Sequence, residues 1–193
     1  MVKIGFVVED DAMRLIIEST AFTQFLESLG IEPVGVFSAD GRDWFRHKNE
    51  KIKSFMMIFQ QREADFIYFL MDLEADSCIT ISKDKIYKYT DNQVSIIVVK
   101  AIESWFLADS KTLSSIFNQE YYYSNPELME AAPFDILREE FISLTGRGIG
   151  KRRNLHTKMM ISNGFSVVNS ASHTECRSAK YFINSLKENR NKV

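Results

Sequence analysis

Cysteine occurs only twice in the 193 residues, at Cys78 and Cys176. Two thiols so far apart leave one bridge open but do not make a disulfide framework. Long hydrophobic runs are missing as well. The longest, around Phe66–Met71 and Val94–Val99, fall far short of the ~20 residues that cross a bilayer. No signal peptide is expected, since Met1-Val2-Lys3 leads straight into a strand-like stretch, and the chain is read as cytoplasmic with no membrane partner. Repeats and low-complexity segments are absent. Histidine is scarce: His47 and His156 stand alone, and His173 with Cys176 has a ligand-like spacing that two residues cannot turn into a zinc site. The glycine-rich GRGIGKRRN lacks the spacing and the Ser/Thr of a phosphate loop.

What remains is an ordinary globular composition, 45% hydrophobic and 26% charged, at a length that suits one domain with a small C-terminal appendage. A chain of this size buries roughly two thirds of its unfolded surface, so its core needs no staples. Fifteen Phe and seven Tyr predict an aromatic interior, with Trp105 and Phe106 in it. For Trp44 and Tyr121–Tyr123, packing is the simpler role and base stacking the alternative. The formal net charge of −2 conceals an asymmetry. From Gly146 onward ten Lys/Arg face two Asp/Glu, which leaves fourteen against twenty-four in residues 1–145. A basic tail beside an acidic body fits two arrangements: a tail that meets phosphate while the body holds metal, or a tail that docks on its own acidic body.

Short β-branched or aromatic runs predict buried strands at Lys3–Glu9, Ile31–Phe37, Phe66–Met71 and Val94–Lys100. Helical spacing predicts helices over Asp11–Leu29, Trp44–Gln61, Ala101–Phe117 and Phe134–Leu144, and near residues 152–163 and 175–189. Residues 73–93 read as loop and short helix, and Gly146–Gly150 as a flexible link. Strands alternating with helices imply an α/β, Rossmann-like fold: a mostly parallel sheet of about four strands, helices on both faces, and a helical C-terminal extension. The division expected is 1–120 for the α/β core and 121–193 for a basic helical extension packed on it.

Open parallel sheets gather ligands at the carboxyl ends of their strands. Here the first strand ends at Glu9-Asp10-Asp11, the third at Asp72-Leu73-Glu74-Ala75-Asp76, and the fourth leads into Glu103. If the first and third strands are neighbours, Glu9, Asp72 and Glu74 converge at one edge. Carboxylates so gathered repel one another unless a cation neutralises them. Oxygen ligands without His or Cys favour Mg2+ or Mn2+ over zinc. Lys151, Arg152 and Arg153 after the glycine-rich link form a candidate contact for nucleic-acid phosphates, or the solvated basic face of a helix start.

FVVED, MDLEADSC and VKAIESWFLAD together resemble the TOPRIM fold. They are most similar to the bacterial TOPRIM-like group called domain of unknown function 4276, which resembles the nuclease domains of overcoming-lysogenization-defect proteins. The stretch GKRRNLHTKMMISNGFSVVNSASHTECRSAKYFINSL resembles the end of that group, so the likeness covers most of the chain. It implies that Glu9 is the proton-transfer group and can reach the metal, that Asp72 and Glu74 bind magnesium, and that Glu103 steadies the site or ligates a second ion. It further implies a nuclease acting on DNA or RNA in anti-phage defence or a toxin-like system, working beside a separate ATPase; homo-oligomerisation is left open. Three positions depart from the pattern: Asp10 stands for the usual glycine, Met13 for an acid, and Glu74 for an aspartate. These departures motivate an alternative, a non-catalytic TOPRIM-like module that binds nucleic acid or a partner. IGFVVEDDAMRLII also resembles a response-regulator receiver, in which Asp72 would accept a phosphoryl group. That reading requires a span from Asp11 to Asp72 about twenty residues shorter, a Ser or Thr ending the fourth strand, and a later Lys-Pro; the sequence has none of these.

Overall fold

The computed structural model describes residues 1–73, 76 and 78–192. Four strands, β1 (Val2–Val8), β2 (Ile31–Ser38), β3 (Phe66–Asp72) and β4 (Gln93–Val98), form one parallel sheet in the order β2-β1-β3-β4. Helices α1 (Asp11–Ile17) and α2 (Thr20–Ser28) connect β1 to β2; α3 (Asp43–Arg46) and α4 (Glu50–Gln61) connect β2 to β3; α5 (Ile79–Lys85) precedes β4. After the sheet come α6 (Glu103–Ala108), α7 (Ser110–Phe117), α8 (Pro133–Thr145), α9 (Arg153–Ser162), α10 (Val167–Ser172) and α11 (Arg177–Arg190). The fold is the Rossmann-like α/β architecture anticipated, and β1 and β3 are neighbours, with Val7 opposite Phe69 and Val8 opposite Leu70. No described helix is long and apolar enough to cross a membrane.

Alternation along the strands divides the interior in two. Ile4, Phe6, Val8, Tyr68, Leu70, Ile96 and Val98 face a large cluster shared with Phe22, Trp105, Phe182 and Leu186. Val7, Ile67, Phe69, Met71 and Ile97 face a smaller one built with Phe45, Ile52 and Phe59. On the smaller side α4 lies so close that a Cβ on Gly5 would collide with the Phe59 ring. On the larger side α11 completes the cover. Phe182 stacks on Phe22 at 5.6 Å and on Trp105 at 5.8 Å. The Tyr68 hydroxyl accepts from Asn189 Nδ2 at 2.8 Å and bonds to Ser185 at 3.0 Å. Residues beyond 121 therefore share one continuous core with the sheet.

Three segments expected as single helices are each divided, by a related device. Within Asp11–Leu29 the Ser19 hydroxyl accepts from Phe22 N–H; within Trp44–Gln61 the Asn49 side chain accepts from Lys51 N–H; within Ala101–Phe117 Asp109 accepts from Thr112 N–H. Each side chain caps a new helix inside an unbroken apolar pattern. The short α10 was also not anticipated; Ser166 caps it.

The start of α11 is held by Glu127. Its buried carboxylate accepts from Arg177 N–H at 3.0 Å, Ser178 N–H at 2.9 Å, the Ser178 hydroxyl and the Cys176 thiol. A carboxylate on the first amides of a helix satisfies orphan donors and favours the helix dipole. Replacing Glu127 by Ala leaves those donors buried without a partner, at a cost of about 3 kcal/mol. For a chain of this size that lowers the melting temperature by roughly 6–12 °C. Thermal denaturation checks this, and a loss under 2 °C, below the ~2–4 °C per kcal/mol scale, would show that α11 docks without it.

Candidate site at the carboxyl edge of the sheet

Parallel strands end on one edge, and three of the four endings here carry a buried acid. Glu9 follows β1, Asp72 closes β3, and Glu103 opens α6 after β4. The backbone of Glu9 is pinned on both sides: its N–H donates to Leu70 O at 2.9 Å and its carbonyl accepts from Gly41 N–H at 2.9 Å. Its Oε2 accepts from the backbone N–H of Asp72 at 2.9 Å, which ties the ends of β1 and β3 together. The Ser104 hydroxyl donates to Val99 O at 2.7 Å and so fixes the turn that presents Glu103. Glu74, expected as a ligand beside Asp72, lies outside the described residues.

The guanidinium of Arg153 sits among these acids. Arg153, the first residue of α9, donates Nε–H to Glu103 Oε1 at 2.6 Å and an Nη2 proton to Glu103 Oε2 at 2.9 Å. Nη2 also reaches Asp72 Oδ2 at 3.3 Å, and Nη1 lies 3.5 Å from Asp10 Oδ2. Glu103 thus receives a two-pronged fork, the strongest form of such a pair. Asp72 is served poorly: its side chain is 3% exposed, one oxygen meets a shared donor, and Oδ1 is buried with no hydrogen-bond partner among the described residues. Burial pushes its carboxyl well above the usual range, and the charges of Glu9 and Glu103 push it further. The surrounding acids hold Arg153 firmly charged.

Among the basic residues expected to meet phosphate, Lys151 and Arg152 are exposed, while Arg153 turns inward. The tail therefore docks on the acidic body at this residue, one of the two arrangements the charge asymmetry allowed. The departures at Asp10 and Met13 have local explanations. Asp10 is extended (φ −141°), a conformation open to any residue, and its Oδ1 accepts from Met13 N–H at 2.9 Å to cap α1. Met13 is buried in the core. Asp76 belongs to a separate group: Lys85, Ser82 and Arg42 hydrogen-bond it and hold its carboxyl below the usual range. His173 is structural, bonded through Nε2 to Tyr123 O and accepting from Glu175 N–H at Nδ1. Trp44 is 42% exposed and Tyr122 60% exposed.

No family model, no curated protein and no solved structure matches this chain. The site is therefore argued from its own chemistry. A cleft of ≈ 390 Å³ between α4 and the start of β4, lined by Phe59, Tyr89 and Asn92, opens at the opposite edge of the sheet. It holds no comparable group of buried acids, so we place the site at the carboxyl edge. Among the described residues no three His, Cys, Asp or Glu side chains are gathered closely enough to enclose an ion as they stand. Their present spacing is that of a set arranged around a guanidinium. The donors nevertheless suit a hard divalent cation: all are carboxylate oxygens, and Asp72 Oδ1 is buried and unpartnered.

Two outcomes follow. Ionised Asp72 is unfavourable in the folded chain, so Asp72→Asn raises the melting temperature of the metal-free protein at pH 7 by a few degrees; a lower melting temperature would show that Asp72 serves the fold. His156, whose Nε2 bonds to Ile149 O, braces the start of α9 and stacks on Phe134. Burial pushes its ring below 6.5, helped by Arg138 and opposed by the Ile149 carbonyl and Glu103. Its contribution is complete above pH 6.5 and is lost as pH falls through the lower native value. Urea titrations between pH 4 and 7.5 check this, with the loss reduced in His156→Gln.

Proposed function

We propose that the chain is a divalent-metal-dependent nuclease of TOPRIM type. The observation that carries the reading is Asp72, a buried carboxylate at the end of β3 with one oxygen unpartnered, between Glu9 and Glu103 on the flanking strand ends. Such an arrangement is costly to fold and has a use when a cation arrives. Asp72 and Glu103, with Glu74, would hold Mg2+ or Mn2+. When bound, the ion supplies positive charge that polarises a phosphoryl oxygen and offsets the charge developing on a phosphodiester.

The protein groups do the rest. Glu9 is oriented by the Asp72 backbone N–H through Oε2, and its carboxylate accepts the proton of the attacking water or returns one to the leaving oxygen. Exposed Lys151 and Arg152, which immediately precede Arg153 in the chain, would attract the backbone of DNA or RNA. A separate ATPase as partner and a role in bacterial anti-phage defence or a toxin-like system belong to the same reading, through the likeness of FVVED, MDLEADSC and VKAIESWFLAD to TOPRIM sequences. Both thiols are free, in keeping with a reducing, cytoplasmic setting.

One observation favours a second reading. Arg153 already supplies a cation to Glu103 and Asp72, which would let the chain serve as a metal-free module binding nucleic acid or a partner. Cleavage of mixed DNA and RNA with EDTA, Mg2+ or Mn2+ separates the two. The nuclease reading expects metal-dependent cleavage that falls at least ~100-fold in Glu9→Ala and Asp72→Ala. Nucleic-acid binding with no calorimetric uptake of metal at these carboxylates supports the module instead.

A further inference from the structure

The contacts of Arg153 are unequal, and the inequality has a consequence for metal binding. Its fork is spent on Glu103, at 2.6 and 2.9 Å, while Asp72 receives only a shared proton at 3.3 Å and Asp10 a contact at 3.5 Å. The Arg153 charge is divided among Glu103, Asp72 and Asp10, with Glu9 bonded beside them to the Asp72 backbone. A divalent ion on Asp72 and Glu103 would lie within a few ångströms of the guanidinium, where two like cations repel strongly. The two compete for Asp72 Oδ2 and for both oxygens of Glu103, which Arg153 already occupies.

The side chain has somewhere to go. Arg153 is 38% exposed. A cleft of ≈ 410 Å³, lined by Arg152, Arg153, Asn154 and Leu155, opens beside it. The helix that bears it stays anchored in the core by His156 and Thr157 one turn further on and by Met160 two turns on. Rotation about the arginine side-chain bonds alone would clear the acids.

We propose that Arg153 is an exchangeable counter-ion of this site. It neutralises Glu103 and Asp72 in the metal-free protein and leaves both when a divalent cation binds. The inference rests on the metal-dependent reading above and adds a positioning residue to it: Arg153 offsets the charge of Glu103 and its neighbours before metal arrives, and its departure sets the apparent metal affinity.

The test is calorimetric titration of Mn2+ into wild type and Arg153→Gln, alongside ¹⁵N–¹H spectra of wild type titrated with Mg2+. The arginine Nε–H signal is assigned from its absence in Arg153→Lys. Exchange expects Arg153→Gln to bind Mn2+ on the order of tenfold more tightly, the scale of a modest coupling free energy. It also expects the Arg153 Nε–H signal of wild type to lose its Glu103-bonded position along the binding isotherm. Should Arg153→Gln not fold, the wild-type spectra decide alone. Equal or weaker binding by the variant, or a signal that stays in place while Mg2+ binds, rejects exchange and leaves the metal site standing. Absence of metal binding by every folded protein rejects both the metal site and the exchange.

Discussion

A parallel sheet puts every strand's carboxyl end on one edge, and the chain places acids at three of those four ends. Repulsion and desolvation among Glu9, Asp72 and Glu103 are the constraint to which the local structure answers. All three are buried, on backbone held by strand pairing or by turn hydrogen bonds. A buried carboxylate must find hydrogen bonds or a cation, or take up a proton. All three responses are visible here: Glu9 takes a backbone N–H, Glu103 takes the arginine fork, and Asp72, poorly served by both, is driven toward its protonated form.

The C-terminal region enters through this constraint. IESWFLAD, which follows β4, is the seam along which that region docks. Glu103 binds Arg153 of α9, the Trp105 indole N–H donates to Ser178 of α11 at 2.8 Å, and the Trp105 carbonyl accepts from Ser170 of α10 at 2.8 Å. Asp109 accepts from Ser166 N–H and Asn169 Nδ2. One short motif therefore supplies an acid to the edge and the anchors that bring a cation to it. Packing and electrostatics meet in the same eight residues.

The strands were legible because each is a short apolar run bounded by polar residues; the central β1 and β3 are buried almost throughout, and the edge strands β2 and β4 in part. Their carboxyl ends were legible for the same reason, and once β1 and β3 proved to be neighbours, Glu9 and Asp72 had to meet. Helix boundaries were less so. Ser19, Asn49 and Asp109 cap new helices inside continuous apolar patterns, and periodicity does not register a cap that leaves its phase unchanged. The inward turn of Arg153 was visible only as an alternative. Lys151, Arg152 and Arg153 are equivalent as a basic run; what separates them is that the third opens α9 opposite Glu103, a tertiary fact. The usable signal was the charge imbalance itself, since acids expected to be buried require a cation from somewhere, and the basic tail was the nearest source.

Buried ion pairs are weak grounds for stability, because apolar side chains of similar volume commonly serve the fold as well or better. The chain itself supplies the comparison. Glu127 and Asp109 are buried carboxylates that meet several donors each, on helix starts where they bind orphan amides. Their geometry is complete, and the fold explains it. Asp72 is buried to the same degree but keeps an oxygen with no partner, and its one cation is committed mainly to Glu103. A sequence selected for stability alone would complete this carboxylate or replace it. That it does neither, at the sheet edge where parallel folds bind ligands, is the physical ground on which a cation at Asp72 is proposed.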